Sequence, residues 1–313
     1  KKEIKKIVIA GAGTMGYSMA QIFAQFHYQV VVYDLNNQAL ETAQRHIKEN
    51  VDILIKEKEI TEQQGQTIIS YLSYTTSKDC FKDCDLVVES IIENVDIKKA
   101  FYQEISQIVS SNCILATNTS GISINELASV VNKPQRFIGM HWFNPSHLIL
   151  LIEIIKGDQT SDEVAQVIYQ LSLKIHKKPV IVQKDVLGFA ANRLQFAVLR
   201  EALDLVEKGV ISKEGIDDVM KYGLGFRYAC LGPLEVADLG GLDTFYHISS
   251  YLMQDLCDSH DVPTILKQHF NNNEYGVKSQ KGFYDYQNGK DLEAIANRDD
   301  KLLKLYNAFY QNK

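Results

Sequence analysis

No run in this 313-residue chain approaches the ~18–20 consecutive apolar residues of a membrane-spanning helix, so a helical membrane protein is not expected. Positive charge is also in short supply. Thirty-three lysines and arginines face 39 aspartates and glutamates, for a formal net charge of -6. A nucleic-acid binder ordinarily carries a basic face, which argues against that partner class. Cysteine is sparse: Cys80, Cys84, Cys113, Cys230 and Cys257 form no C-x-x-C, and their number is odd. Neither a disulfide framework nor a zinc site is expected, no other metal is implied, and reduced thiols point to the cytoplasm. The opening "KKEIKKIVIAGAG" enters an apolar strand at once and lacks the long apolar region and cleavage pattern of a secretory signal. Repeats and low-complexity runs are absent as well.

What is present is a regular alternation. "IVIAG" (7–11), "VVVYD" (30–34), "LVVES" (86–90), "CILATN" (113–118), "FIGMHWF" (137–143), "LLIEII" (150–155) and "PVIVQ" (179–183) read as short buried strands. Between them lie amphipathic stretches such as "TMGYSMAQIFAQF", with Met15, Met19, Ile22, Phe23 and Phe26 at helical spacing, and a polar helical pair over 37–58 and 61–70. Strands joined by helical crossovers imply a mostly parallel sheet. The 143–150 connection is too short for a crossover, so its two strands should pair antiparallel. After residue 185 the strand signal ends. A long helix over 188–209, stopped by Gly209, opens a helical remainder. The expected architecture is an α/β domain over 1–185, followed by an all-α domain over 186–313.

"GAGTMG" places Gly11, Gly13 and Gly16 in G-x-G-x-x-G spacing, after a strand and at the start of a helix, with Asp34 closing the second strand. That context turns a weak motif into a dinucleotide-binding fingerprint. Gly11 allows the tight turn, Gly13 lets a pyrophosphate approach the backbone, and Gly16 lets the helix pack closely. Thr14 and Met15 then supply amides at the helix N-terminus, where phosphate oxygens are stabilised. Asp34 suits ribose hydroxyls. No arginine or lysine follows in "DLNNQ" to hold a 2′-phosphate, so NAD is expected rather than NADP.

"HWFNPSHLILLIE" (141–153) carries the chemistry. Removing hydride from an alcohol carbon requires a base for the hydroxyl proton, and histidine titrates in the useful range. A carboxylate behind the imidazole would orient it and stabilise its protonated form. His141 and Glu153 are candidates for that pair, while His147 sits in the connecting turn as a bystander. Asn118 and Ser120 of "ATNTSG" end another strand and offer hydrogen-bond donors. Ser120 is equally a candidate helix N-cap before "ISINELA", and Asn192 a candidate water-facing helix residue.

Several motifs in order, "GAGTMG", "VVESIIEN", "ATNTS", "HWFNP…LIE", "GFAANR", "GPLEVADLGGLD" and "KSQKGFYDY", resemble the (S)-3-hydroxyacyl-CoA dehydrogenase family, including 3-hydroxybutyryl-CoA dehydrogenases, over nearly the whole chain. The resemblance implies a Rossmann-type NAD-binding domain followed by a helical domain that forms a homodimer. By the same resemblance His141 is the catalytic base and Glu153 its paired acid. Ser120 contacts both substrate and cofactor, Asn144 lies near nicotinamide and substrate, and Asn192 binds substrate. Glu93, Lys98 and Lys278 contact the cofactor. The substrate so implied is a short-chain (S)-3-hydroxyacyl-CoA.

Two stretches depart from the family pattern. The positions that would hold CoA phosphates fall on Asn50, Ile53 and Glu57, within a stretch richer in acids than in lysines; Lys56 or Lys58 would serve only after a register shift. "YGLGFRYACLGP" (222–233) is longer than in CoA-specific relatives. It looks more like relatives that oxidise free hydroxy acids, such as the λ-crystallin and gulonate dehydrogenase group. Arg227 within it suits bidentate capture of a carboxylate, or equally a surface salt bridge. A free 3-hydroxy acid is therefore the alternative substrate. A non-catalytic NAD-binding structural protein is the alternative of a different class.

Overall fold

The computed structural model describes residues 3–311. By its internal contacts the chain divides into two units, the first ending at Ala191 and the second starting at Asn192.

The first unit is built on eight strands: β1 (Lys6–Ala10), β2 (Gln29–Tyr33), β3 (Leu72–Thr75), β4 (Leu86–Glu89), β5 (Ile114–Thr117), β6 (Phe137–Trp142), β7 (Leu151–Ile155) and β8 (Lys178–Val182). They form one sheet in the order β3-β2-β1-β4-β5-β6-β7-β8. Every neighbouring pair is parallel except β6 with β7, which the short 143–150 connection makes antiparallel. This is the Rossmann-type α/β sheet expected from the alternating pattern. Its strands read as nearly continuous apolar runs because both faces are covered. In β1, Ile7 and Ile9 pack with Met19, Phe23 and Ile47 on one face, while Val8 and Ala10 pack with Phe81, Tyr102 and Leu115 on the other.

The covering helices are α1 (Thr14–Gln25), α2 (Asn37–Lys56), α3 (Glu62–Ser70), α4 (Val95–Ile108), α5 (Ile124–Ala128) and α6 (Asp162–Lys174). Asn36 caps α2 by accepting from the Gln38 and Ala39 amides, and Thr61 with Gln64 forms a capping box on α3. The edge strand β3 has no counterpart in the sequence reading. Its four residues "LSYT" are partly exposed and carry too little apolar alternation to register.

The second unit is helical: α7 (Ala191–Glu207), α8 (Lys213–Val219), a π-helical turn over Met220–Leu224, α9 (Gly225–Tyr228), α10 (Pro233–Gly240), α11 (Leu242–Leu252), α12 (Thr264–Asn271) and α13 (Lys290–Phe309). The long helix expected from residue 188 starts three residues later. Gly188 and Phe189 take left-handed φ values of 78° and 53°, which a helix does not accommodate, whereas Gly209, at φ 70°, terminates it as expected. Among the described residues of this unit only Leu203 and Val236 are buried. No described helix is long and apolar enough to cross a membrane.

Candidate active site

The carboxyl ends of β1, β4, β5 and β6 gather the first unit's functional side chains, as an open α/β sheet requires. β1 lies between β2 and β4, so the crossovers diverge there and leave a crevice above its end. The three glycines of "GAGTMG" fit this place in three different ways. Gly11 has φ +108°, and a Cβ on it would lie 2.4 Å from the Ser90 carbonyl oxygen at the end of β4. A Cβ on Gly16 would lie 1.8 Å from the Gly11 oxygen, so α1 packs directly on the strand end. A Cβ on Gly13 would meet nothing within 4 Å, which leaves the approach to the backbone open. No side chain caps α1, whose first residues are Thr14 and Met15, so its N-terminus faces that opening.

Asp34 follows β2. Its Oδ2 accepts from the Ala12 amide at 2.9 Å and its Oδ1 from the Asn36 amide at 2.8 Å. This fixes the carboxylate beside the glycine turn while leaving each oxygen a further lone pair. A groove of about 350 Å³ runs alongside, lined by Gly13, Tyr17, Asn36, Thr42 and His46 among others, with no lysine or arginine in its wall. These residues fit the adenosine half of NAD, and the wall offers no lysine or arginine to a 2′-phosphate. Sequence reading missed Tyr17, Thr42 and His46, which carry no motif of their own.

At the end of β6, His141 stands directly opposite Glu153 of β7 in the antiparallel register. The imidazole Nδ1 lies 3.0 Å from Glu153 Oε1. Glu153 Oε2 accepts the Ala190 and Ala191 amides at 2.9 and 3.0 Å. The two left-handed residues Gly188 and Phe189 turn the chain so that those amides reach the acid. His141 and Glu153 are buried, at 5% and 1% exposure. Phe143 and Phe189 flank the imidazole, with ring centroids 4.4 and 5.8 Å away. Burial pushes the Glu153 carboxyl up, but the hydrogen bonds from His141 and the two amides, with the histidine's charge, outweigh it and leave the pKa lowered. An ionised Glu153 only accepts, so Nδ1 carries a proton, and in the neutral imidazole the lone pair falls on Nε2. That is the tautomer a proton-abstracting histidine needs.

Asn118 ties three strand ends together. Its Oδ1 accepts the Trp142 amide at 2.8 Å and its Nδ2 donates to Ser90 Oγ at 3.3 Å. Ser120 is exposed in the loop after β5, and the cap of α5 is Ser123, whose hydroxyl accepts from the Glu126 amide. The capping role considered for Ser120 is therefore corrected: α5 starts three residues further on. Asn144 is exposed and precedes Pro145 through a cis peptide bond.

Glu93 is exposed after β4, whereas Lys98 on α4 is buried, its side chain at 1% exposure. The Lys98 ammonium lies 2.5 Å from Glu89 and 3.4 Å from Glu93. Glu89 also accepts from Tyr102 at 3.0 Å, Thr117 at 2.7 Å and the Ile91 amide at 3.0 Å. Burial, and then the Glu89 charge, push the Tyr102 pKa well up.

The remaining candidates belong to the second unit. Asn192 opens that unit on the first turn of α7. Arg227 is exposed on α9. Lys278 is exposed, 5.7 Å from the centroid of the Tyr275 ring. On the α2 surface, Asn50 donates to Gln21 at 3.0 Å, Ile53 is 50% exposed and Glu57 ends the helix. Arg45 and Lys48 are each matched there by an acid, Glu49 and Asp52.

An open glycine cradle and an imidazole hydrogen-bonded through Nδ1 to a buried carboxylate, both at one edge of a sheet, are what a dinucleotide-dependent oxidoreductase of alcohols requires, and that is the class the first unit fits. Residues 6–186 match the NAD binding domain of 3-hydroxyacyl-CoA dehydrogenase, and residues 188–286 match its C-terminal domain. The chain therefore belongs to the 3-hydroxyacyl-CoA dehydrogenase family, NAD-dependent oxidoreductases acting on CH–OH groups. It is 39% identical over 282 residues to a probable 3-hydroxybutyryl-CoA dehydrogenase of Deinococcus radiodurans, covering 90% of this chain and 100% of that one. It is 36% identical over 302 residues to 5-formyl-3-hydroxy-2-methylpyridine 4-carboxylate 5-dehydrogenase of Mesorhizobium japonicum, covering 96% of this chain and 97% of that one. A crystal structure of a 5-dehydrogenase of that pyridine acid, an NAD+-dependent dismutase, superposes with a TM-score of 0.91 at 34% identity, over 99% of this chain and 100% of that one. The (S)-3-hydroxybutyryl-CoA dehydrogenase of Ralstonia eutropha gives 0.77 at 35% identity, over 91% of this chain and 100% of that one.

Proposed function

We propose that His141 is the general base of an NAD-dependent dehydrogenase, Glu153 its orienting acid, and a carbinol carbon the site of hydride loss. The observation that carries this is the Nδ1–Glu153 hydrogen bond of 3.0 Å, in a pair buried beside the glycine cradle's sheet edge. NAD, when bound, supplies the hydride acceptor. His141 Nε2 takes the hydroxyl proton, and Glu153 stabilises the imidazolium that results. Gly11, Gly13, Thr14, Met15 and Gly16 hold the pyrophosphate, and Asp34 the ribose hydroxyls. Glu93 faces the cofactor with Lys98 fixing it from beneath. Lys278 adds a further cofactor contact. Ser120, Asn144 and Asn192 bind and align the reacting groups.

Of the two substrate classes, a free carboxylic acid is the better supported. The pyridine-acid enzyme matches this chain almost end to end. On α2, the positions that would meet CoA phosphates are Asn50, Ile53 and Glu57, and the nearby cations Arg45 and Lys48 are paired with acids. A polyanion prefers unpaired cations. Arg227 is the candidate carboxylate clamp. The short-chain (S)-3-hydroxyacyl-CoA reading is favoured by the Deinococcus relative at 39% identity. Comparing NADH oxidation with acetoacetyl-CoA and with free acetoacetate separates them. Preference for the free acid, lost in Arg227→Met with NADH binding retained, is expected; strong preference for the thioester overturns the clamp.

A homodimer is proposed on the second unit's apolar surface, where Tyr222, Phe226, Leu234 and Leu239 are 75%, 75%, 80% and 76% exposed. Light scattering giving a monomer mass at micromolar concentration would reject it. A cytoplasmic location is in keeping with five free cysteines.

A further inference from the structure

Lys177, between α6 and β8, is buried at 6% exposure, and no carboxylate pairs with it among the described residues. Burial lowers its pKa to about 8. Its ammonium donates instead to two main-chain carbonyls of the 143–150 turn, those of Ser146 and, at 2.8 Å, Ile149. It also lies 5.3 Å from the centroid of the Trp142 ring, whose Nε1 is buried without a hydrogen-bond partner. An unpaired buried cation is costly, and a fold that keeps one uses it to satisfy groups that would otherwise be stranded. The stranded groups here belong to the turn that starts beside His141 and carries Asn144. The same turn has a second tether. The Ser146 hydroxyl, itself 2% exposed, hydrogen-bonds the Ser18 hydroxyl on α1, the helix whose first turn forms the glycine cradle.

We propose that Lys177 and the Ser18–Ser146 contact form a positioning device that sets the Asn144 turn against the cofactor helix, so that the nicotinamide end of the site is held in register with the phosphate end. Lys177 and the two serines act through the turn and are assigned no contact with the reacting atoms. The ammonium pins the turn from the β8 side, and the two hydroxyls pin it to α1. This deepens the dehydrogenase reading and rests on it for the kinetic arm of the test.

The test uses the full chain and two readouts, steady-state turnover with whichever of acetoacetyl-CoA or acetoacetate the parent accepts, and the fluorescence of bound NADH. Lys177→Met is expected to lower kcat by about 30-fold through misplacement of the turn, with NADH affinity within about threefold. Its bound NADH should be dimmer, as nicotinamide becomes less immobilised. Ser18→Ala, Ser146→Ala and the double variant should each lower kcat by the same factor, about three- to tenfold, because they cut one link. Should Lys177→Met fail to fold, the serine cycle alone decides. If the parent binds NADH but turns over neither compound, the substrate is another 3-hydroxy acid, and dimmer bound NADH in the variants still scores the device. Variants that lose only melting temperature, with parental kcat and parental NADH emission, overturn it, as does full additivity of the two serine substitutions.

Discussion

Two buried carboxylates lie in the same sheet, Glu89 at the end of β4 and Glu153 in β7 with β5 and β6 between them, and they differ in the partner that carries or can take a charge. Glu89 is saturated by Lys98, Tyr102, Thr117 and the Ile91 amide. Its cationic partner is a lysine at 1% exposure, tied to Glu93 as well. Glu153 is equally well held, by the amides of Ala190 and Ala191, but its third donor is an imidazole. Lysine as a residue type is a fixed cation at neutral pH, whereas imidazole can serve as a proton acceptor there. The first carboxylate therefore ties α4 to two strand ends. The second, on the proposed mechanism, holds the group that takes the proton. Burial and hydrogen-bond count alone do not separate the roles proposed for the two acids; the chemistry of the partner side chain does.

Substitutions at the two acids sharpen that contrast. Glu153 faces three donors, the His141 Nδ1–H and two amides, and an amide side chain has one acceptor. Glu153→Gln must therefore turn its NH2 toward one of them. Facing His141, it forces the lone pair onto Nδ1 and the proton onto Nε2, the wrong tautomer for the base. A fall in kcat of about 10³-fold is expected, with NADH affinity little changed, measured by steady-state kinetics and fluorescence titration. The matching change at the other acid, Glu89→Ala, leaves the Lys98 ammonium buried with only the exposed Glu93 nearby. A stability loss of about 3–5 kcal/mol is expected in urea unfolding, while kcat of the folded fraction stays within about threefold. A large kcat loss at Glu89 without a stability loss would erase the distinction.

Acid titration gives a smaller effect. The Glu153 pKa is lowered below its ordinary 4.5, because hydrogen bonds from His141 and the two amides outweigh burial. A depressed carboxyl contributes stability that is present above the unfolded-state pKa and lost as pH falls through the folded-state value. The parent's stability advantage over Glu153→Gln should therefore shrink as pH falls from above the ordinary 4.5 to below it. An advantage that is constant across that window contradicts the ionised Glu153 assigned here.

The parts of the fold that were legible in the sequence are those set by local pattern. The apolar strands, the glycine fingerprint with Asp34, and the antiparallel turn after His141 all follow from short-range spacing. His141 and Glu153 could be read as facing residues because a short connection leaves few registers for the hairpin that holds them. Contacts made across long sequence separation by residues of ordinary type were not legible. Lys177 is one of two adjacent lysines in "IHKKPV", and nothing in that string marks one as buried. The Ala190 and Ala191 amides hold Glu153 through main chain alone, and alanine carries no signal of such a role. β3 escaped because a four-residue edge strand needs little hydrophobicity. The start of α7 shifted because left-handed φ at Phe189 is imposed by the turn toward Glu153, not by its side chain.

On the proposed mechanism His141 moves the proton while the dinucleotide site stands independently of it. Single-turnover hydride transfer in His141→Gln, with bound NADH monitored in the same samples, tests this most directly. The expected result is a rate lower by about 10²–10⁴-fold with NADH affinity within about twofold. Hydride transfer at the parental rate would contradict the claim.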